Sequence, residues 1–255
     1  MKFSTLLLSS LVIAFSLAGC GQEPGDTDAD EAPDASAGTS TNTDAAAAGE
    51  TPRAAREFTL GDSTPMQDLQ PLPGREDSVP ELTQATRVRV ATTAGDVVIE
   101  VYPQAAPNAA QRFVELVTSG FYDDTPVSRV VPGFVAQFGV NWRQPHKAWQ
   151  NRHFDDDETL FALERGTLAF AKAGPNTNST QVFINYAENN RLADPQYNFT
   201  VFGQIIEGMD VVDGFVQVGD PSGGLDQGRL WRDGGTYIES LSVKPTMIES
   251  AEVIE

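Results

Sequence analysis

The feature that most restricts the fold is a series of short segments in which apolar residues alternate with other residues or form brief runs. Alternation with a period of two is typical of a half-buried β-strand, and glycine, proline, asparagine and aspartate are typical of the turns between strands. Val88 and Val90 alternate with arginines before a turn at Thr93–Asp96, which predicts a β-hairpin over residues 86–102. Further strands are predicted at residues 126–139, 166–170, 182–186, 198–206 and 246–254.

Two other segments have helical spacing. Apolar residues recur at helical intervals in residues 107–120, which begin with a proline and end with a glycine, and again in residues 207–218. We interpret residues 141–158 and 220–235 as loops, and residues 237–241 as no more than a last helical turn. Many short strands with two helices favour a mainly β fold, a closed antiparallel β-barrel whose ends are capped by the helices.

Residues 1–19 have the features of a secretory signal peptide. Lys2 supplies a positive charge, residues 6–17 are largely apolar, and small residues lead to Cys20. The sequence Leu-Ala-Gly-Cys resembles the lipobox of bacterial lipoproteins, in which the cysteine is lipidated; the alternative is an ordinary signal peptide cleaved near residue 18 or 19. Because Cys20 is the only cysteine and has no disulfide partner within the chain, we expect lipidation. By resemblance to lipoprotein sorting, Gly21 favours the outer membrane, facing the periplasm of a Gram-negative bacterium.

The segment that follows Cys20 is acidic and poor in apolar side chains. Residues 20–57 contain no aromatic residue, so we expect a disordered acidic tether. Residues 58–85 contain several prolines and fit either a linker or an extended arm packed on the edge of the domain, which then occupies residues 86–255. The net charge of −19 argues against nucleic acid as a partner, because phosphate binding needs a basic face.

Residues 126–139 place a charged side chain among β-branched ones, with a turn signal at Pro132–Gly133. In a regular strand, Arg129 shares a face with Val127 and Val131. A buried arginine needs a partner or a ligand, whereas an arginine on the outer face of an edge strand needs neither. The segment alone leaves both interpretations open.

The only two histidines, His146 and His153, lie in the polar segment of residues 141–158 near an acidic run. Their separation lacks the compact spacing of zinc motifs. We expect a solvated loop without a metal ion. The chain also lacks a glycine-rich phosphate loop, so we expect no cofactor.

Three blocks of the sequence carry a resemblance to a known family. They are SRVVPGFVAQFG at residues 128–139, FAKAGPNTNSTQVFIN at residues 170–185 and TVFGQIIEGMDVVD at residues 200–213. Together they resemble the cyclophilins, a family of peptidyl-prolyl cis-trans isomerases, over about residues 86–255. The resemblance implies a closed eight-stranded antiparallel β-barrel capped by two α-helices.

The resemblance also implies the site residues. The catalytic arginine of the family falls on Arg129, and its two glutamines fall on Gln137 and Gln181. The proline pocket and the adjoining groove fall on Phe134, Val135, Ala171, Lys172, Ala173, Phe183, Leu192 and Phe199.

Four positions depart from the best-known members. Ser128, Arg191 and Phe199 stand where eukaryotic members have histidine, tryptophan and histidine. Lys172 stands where asparagine is usual, and we expect it to add positive charge to the rim of the groove. These changes affect the expected affinity for cyclosporin-type ligands and the preference for the residue before proline.

The function implied by the resemblance is peptidyl-prolyl isomerisation that assists the folding of extracytoplasmic proteins. Catalysis is expected to be non-covalent, with Arg129 stabilising the twisted X-Pro amide and Gln137 assisting it. The expected partners are proline-containing polypeptides and, through the lipid on Cys20, the membrane; the chain is expected to be a monomer. The alternative is a membrane-anchored barrel that binds proline-containing segments without turnover, which Arg191 and Lys172 leave open.

Overall fold

The computed structural model describes residues 69–254, and in this range eight antiparallel strands form a closed barrel. The strands follow one another around the barrel in the order β1-β2-β7-β5-β6-β4-β3-β8, and β8 pairs with β1. Their bounds are Thr86–Thr92 (β1), Gly95–Val101 (β2), Thr125–Val131 (β3), Val135–Phe138 (β4), Thr167–Phe170 (β5), Val182–Asn185 (β6), Val201–Glu207 (β7) and Met247–Ile254 (β8). The predicted closed eight-stranded barrel is confirmed, as is the hairpin of β1 and β2.

The described part of the chain contains three α-helices, one more than expected. They are α1 (Pro107–Thr118), α2 (Met209–Asp213) and α3 (Gln227–Ser240), with short 3₁₀-helices at His146–Asn151 and Asn190–Ala193. The interpretation of residues 220–235 as a loop is wrong over α3. The Asp226 carboxylate caps this helix by accepting from the Arg229 amide at 2.8 Å, and Gly234 kinks it at a φ of 49° where it packs on Trp142.

Two apolar clusters occupy opposite faces of the barrel wall. Ala136, Phe138, Val182 and Ile184 face the interior, where Phe113 of α1 packs on Phe202 with a ring-centroid distance of 5.1 Å. The alternate residues of the same strands form a second cluster on the outer face. We call this the outer cluster; its buried members include Val135, Ala169, Phe183, Leu192 and Val201. The barrel interior is therefore filled, and a binding site has to lie on the outer face.

Residues 69–82 pack against this outer face rather than extending freely. The Leu72 amide donates to the Leu160 carbonyl, and the Ala162 amide donates to the Gln70 carbonyl, each at 2.8 Å. Leu69 is buried in the outer cluster, and Leu72, Val79 and Leu82 pack against it. These residues thus form an extended arm.

The predicted signal peptide, lipidated Cys20, tether and residues 58–68 lie outside the described residues. Among residues 69–254, no helix has both the length and the apolar character needed to cross a membrane.

Candidate active site

The segment that carries Arg129 is a hairpin with a β-bulge. Strands β3 and β4 are joined at Pro132–Gly133, so the expectation of one strand over residues 126–139 is wrong. Val127 pairs with Phe138 and Arg129 pairs with Gln137, which leaves Ser128 as an extra residue in β3. The expectation that Arg129 shares a face with Val127 is also wrong, because the bulge turns Val127 into the interior and leaves Arg129 beside Gln137.

The guanidinium of Arg129 is held by two uncharged acceptors. Its Nε donates to the Ser222 carbonyl at 2.7 Å, and its Nη1 donates to Gln137 Oε1 at 3.3 Å. The Gln137 amide in turn donates to Gln181 Oε1 at 2.8 Å. Burial lowers the pKa of Arg129 from its usual value because desolvation disfavours the charge, but arginine stays protonated at neutral pH. No carboxylate within residues 69–254 neutralises Arg129, and its remaining N–H groups have no protein acceptor there.

An apolar pocket adjoins this guanidinium. Phe183 is buried on β6 directly opposite Gln137, and the Phe199 ring meets it edge-on with a centroid distance of 5.5 Å. Val135 and Leu192 are buried in the same outer cluster, and Phe134 and Ala171 pack against it half-buried. Several pocket residues predicted from the sequence thus meet on one surface; the roles given to them stay predictions.

Two arginines face the ring of Phe134. The guanidinium carbon of Arg129 lies 5.6 Å from the ring centroid and that of Arg191 lies 5.5 Å from it. Both distances are within the range of cation–π contact. The mouth of the pocket is therefore cationic, although the chain as a whole carries a net charge of −19.

A sequence model described as cyclophilin type peptidyl-prolyl cis-trans isomerase/CLD matches residues 87–230. The chain belongs to the cyclophilin family. Its activity is peptidyl-prolyl cis-trans isomerisation, in agreement with the names of its relatives.

Two relatives align with more than half of this chain. Peptidyl-prolyl cis-trans isomerase A of Dickeya dadantii is 32% identical over 177 residues, which are 68% of this chain and 87% of the relative. A peptidyl-prolyl cis-trans isomerase of Acinetobacter baylyi is 36% identical over 146 residues, 56% of this chain and 78% of the relative.

Solved structures show the same fold at lower identity. A cyclophilin type peptidyl-prolyl cis-trans isomerase of Cryptosporidium parvum matches with a TM-score of 0.52 and 23% identity, over 68% of this chain and 99% of that one. A second structure of that protein was obtained in the presence of the dipeptide Ala-Pro.

Lys172 does not add charge to the rim, so that expectation is wrong. Its side chain is buried, and its ammonium lies 2.7 Å from Asp156 Oδ2 and donates to the Asn198 carbonyl at 2.9 Å. A buried charge requires such partners. The lysine therefore ties together three loops behind the groove of this cyclophilin, while its neighbour Ala173 is exposed.

The loop that anchors Arg129 was not anticipated. The Asp220 carboxylate accepts from the Ser222 amide at 2.9 Å, the Ser222 hydroxyl at 2.8 Å and the Gly223 amide at 2.7 Å, and these bonds lower the pKa of Asp220. Gly224, at a φ of 75°, lies so close to β3 that a Cβ there would sit 2.4 Å from the Ser128 carbonyl oxygen. The sequence Asp-Pro-Ser-Gly-Gly does signal a turn, but nothing local indicates that it faces Arg129.

The two histidines take no part in this site. His146 meets the Phe121 ring edge-on at 5.9 Å, and His153 is exposed. Across the described residues 69–254, no three histidine, cysteine or acidic side chains are grouped so that they could hold a metal ion.

Proposed function

We propose that this cyclophilin lowers the barrier to X-Pro rotation through a hydrogen bond from Arg129 to the prolyl nitrogen. Rotation is slow because C–N resonance imposes a barrier of about 20 kcal/mol. In the twisted amide the nitrogen becomes pyramidal and regains its lone pair, so it accepts a hydrogen bond more strongly than the planar amide does. A donor aimed at that nitrogen stabilises the transition state more than either ground state.

The main support for this proposal is that the Arg129 guanidinium lies beside an apolar pocket, is held by hydrogen bonds and has no carboxylate partner among residues 69–254. Two hydrogen bonds, to Ser222 and Gln137, orient the guanidinium without cancelling its charge. Arginine suits this task because its planar fork stays protonated. Preorganised donors of this kind need little rearrangement during the reaction.

The amides and the aromatic residues have complementary roles in the proposal. Gln137 holds Arg129 and has a second amide N–H, and the Gln181 amide N–H groups have no acceptor within residues 69–254. Either glutamine supplies a donor for a substrate carbonyl. Phe183, Leu192 and Phe199 receive the proline ring and exclude water from the bond that rotates.

We further propose that the enzyme acts on proteins that fold outside the cytoplasm, held to the outer membrane by a lipid on Cys20 and facing the periplasm. The support is the N-terminal sequence, in which a positively charged and then apolar segment leads to Leu-Ala-Gly-Cys. Proline isomerisation takes tens of seconds without a catalyst, which is slow enough to limit folding.

Replacing Arg129 with alanine tests the catalytic proposal. A protease-coupled assay on an X-Pro peptide measures isomerisation by the full chain in detergent. Loss of one preorganised donor is expected to lower kcat by roughly a hundredfold, with an unchanged circular dichroism spectrum as the control for folding. A variant that keeps the wild-type kcat would rule out the proposed role of Arg129.

A further inference from the structure

Arg191 is an exposed cation at the pocket mouth that the proposed mechanism does not use. Within the described residues its guanidinium forms no ion pair and no hydrogen bond, and its contact is the Phe134 ring at 5.5 Å. Most other arginines of the domain are paired with carboxylates, for example Arg165 with Asp213 at 2.6 Å. An unpaired guanidinium beside a binding pocket is available to a ligand.

The backbone that carries Arg191 is fixed against the pocket. The Asn189 side chain donates to the Phe134 carbonyl at 3.1 Å and to Asn185 Oδ1 at 2.8 Å. The Asn190 side chain accepts from the Leu163 amide at 2.9 Å, and Leu192, the next residue after Arg191, is buried in the pocket wall. Arg191 is therefore held at the rim by its own short 3₁₀-helix rather than by a free loop.

We propose that Arg191 determines specificity and makes this cyclophilin prefer prolines that have an aspartate or glutamate within one or two residues. The inference rests on the proposed placement of the proline ring beside Arg129. Phe134 packs against the same outer cluster as Phe183 and Leu192, and the Arg191 guanidinium faces its ring. A proline ring seated on Phe183 and Leu192 therefore brings the residues next to it close to Arg191. The two oxygens of a carboxylate at this position can each accept a hydrogen bond from the planar guanidinium of Arg191.

The other charges of the groove strengthen this assignment. Lys172 is paired with Asp156 and cannot serve a second carboxylate at the rim. Arg129 also forms no ion pair with a carboxylate of residues 69–254, but its hydrogen bonds to Ser222 and Gln137 fix its orientation. Within residues 69–254, Arg191 is thus the cation of the rim that is free to turn toward a substrate side chain.

The effect should appear in KM. An ion pair at an exposed site is screened by solvent, so an acidic peptide should bind about two- to fivefold more tightly than its amide counterpart. The carboxylate lies away from the rotating bond and contributes equally to ground state and transition state, which changes KM rather than kcat.

Matched peptide pairs test the proposal by exchange NMR with the full chain in detergent. One pair compares Glu-Pro with Gln-Pro, and the other compares Pro-Glu with Pro-Gln. The wild type is compared with Arg191→Gln, Arg191→Lys and Arg191→Glu at low and high salt. Arg232→Gln serves as a control with the same charge change, because Arg232 is exposed and pairs with its neighbour Asp233.

The expected result is a lower KM for the acidic member of at least one pair. The ratio of the KM of the amide peptide to that of the acidic peptide should fall to about one in Arg191→Gln, stay above one in Arg191→Lys and fall below one in Arg191→Glu. It should decrease at high salt and be unchanged in Arg232→Gln. Equal KM values in the wild type for both pairs, or a preference that survives Arg191→Gln, would overturn the inference. Failure of the Arg129 mechanism is a separate result, since it would appear as rapid turnover of the Gln-Pro peptide by Arg129→Ala.

Discussion

At the scale of single residues, the site depends on side chains that the family resemblance does not name. The resemblance supplied Arg129, Gln137 and Phe183, and the structure places these residues together. It did not supply Asp220 and Ser222, because their relation to Arg129 arises only when a loop returns to β3 from 93 residues further along the chain. Sequence patterns report local periodicity, and contacts between distant loops leave no such signal.

Replacing Asp220 with alanine should lower kcat while KM changes little. The carboxylate fixes the turn whose Ser222 carbonyl orients Arg129, so its loss lets the guanidinium move away from the prolyl nitrogen. We expect a reduction of roughly two- to tenfold, the effect of one lost hydrogen bond. Asp220→Asn keeps an acceptor oxygen and should stay close to wild type. Equal kcat values for the alanine variant and the wild type would show that the turn does not position Arg129.

The same residue gives a pH dependence. The Ser222 and Gly223 donors lower the pKa of Asp220 below its ordinary value, so the carboxylate persists below the ordinary pKa of about 4. Its contribution is fully present above that ordinary value and is lost only as the pH falls through the lowered pKa. The wild-type kcat should therefore show no loss from Asp220 between pH 7 and about pH 5. A loss in that range that is absent from Asp220→Asn would contradict the assignment.

At the scale of elements, strands were predicted better than helices and arms. The strands follow from alternation, and helix α2 follows from helical spacing, although it covers only Met209–Asp213 of the predicted residues 207–218. Helix α3 was missed because Gly228, Gly234 and Gly235 interrupt its apolar pattern, although Leu230 and Trp231 are buried. The sequence did not decide whether residues 58–85 form a linker or an arm, because isolated apolar residues among prolines do not show whether they pack on the domain. The structure shows that Leu69 is buried in the outer cluster.

Leu69→Ala should destabilise the domain if the arm is part of its outer cluster. Removing a buried leucine side chain typically costs about 2 kcal/mol or more of unfolding free energy, measured by urea denaturation of the full chain in detergent. Val243→Ala is the matched control, because Val243 is 54% exposed, and it should change stability by less than about 0.5 kcal/mol. If the two variants are equally stable, the arm adds nothing to the fold.

At the scale of the whole molecule, the domain indicates the activity and the N-terminal segment indicates where the protein acts. The barrel, its pocket and the family membership identify the isomerase activity. The proposed mechanism uses no metal ion and no nucleotide. The location of that activity rests on residues 1–20 of the sequence. The eight strands were implied by the resemblance, whereas periodicity alone predicted seven because it merged β3 and β4 into one strand. Positive charge at the rim was expected from Lys172 and comes instead from Arg129 and Arg191, since it depends on which charges are paired in space.

Replacing Cys20 with serine tests the proposed anchor. The wild-type chain, expressed in a Gram-negative host, should fractionate with the outer membrane and incorporate labelled fatty acid. The Cys20→Ser form should incorporate none and leave the membrane fraction, because a thioether to the lipid can no longer form. A serine variant that still fractionates with membranes would count against lipidation as the means of attachment.

In the proposed mechanism, Arg129 stabilises the twisted amide rather than the bound ground state. Exchange NMR on one X-Pro peptide separates the two, since titration gives Kd and the exchange cross-peaks give the rate of rotation on the enzyme. For Arg129→Ala we expect a rotation rate lower by roughly a hundredfold with a Kd within a few-fold of wild type, because the pocket around Phe183 remains. A variant that rotates bound peptide at the wild-type rate, and loses activity only through weaker binding, would show that Arg129 acts in binding alone.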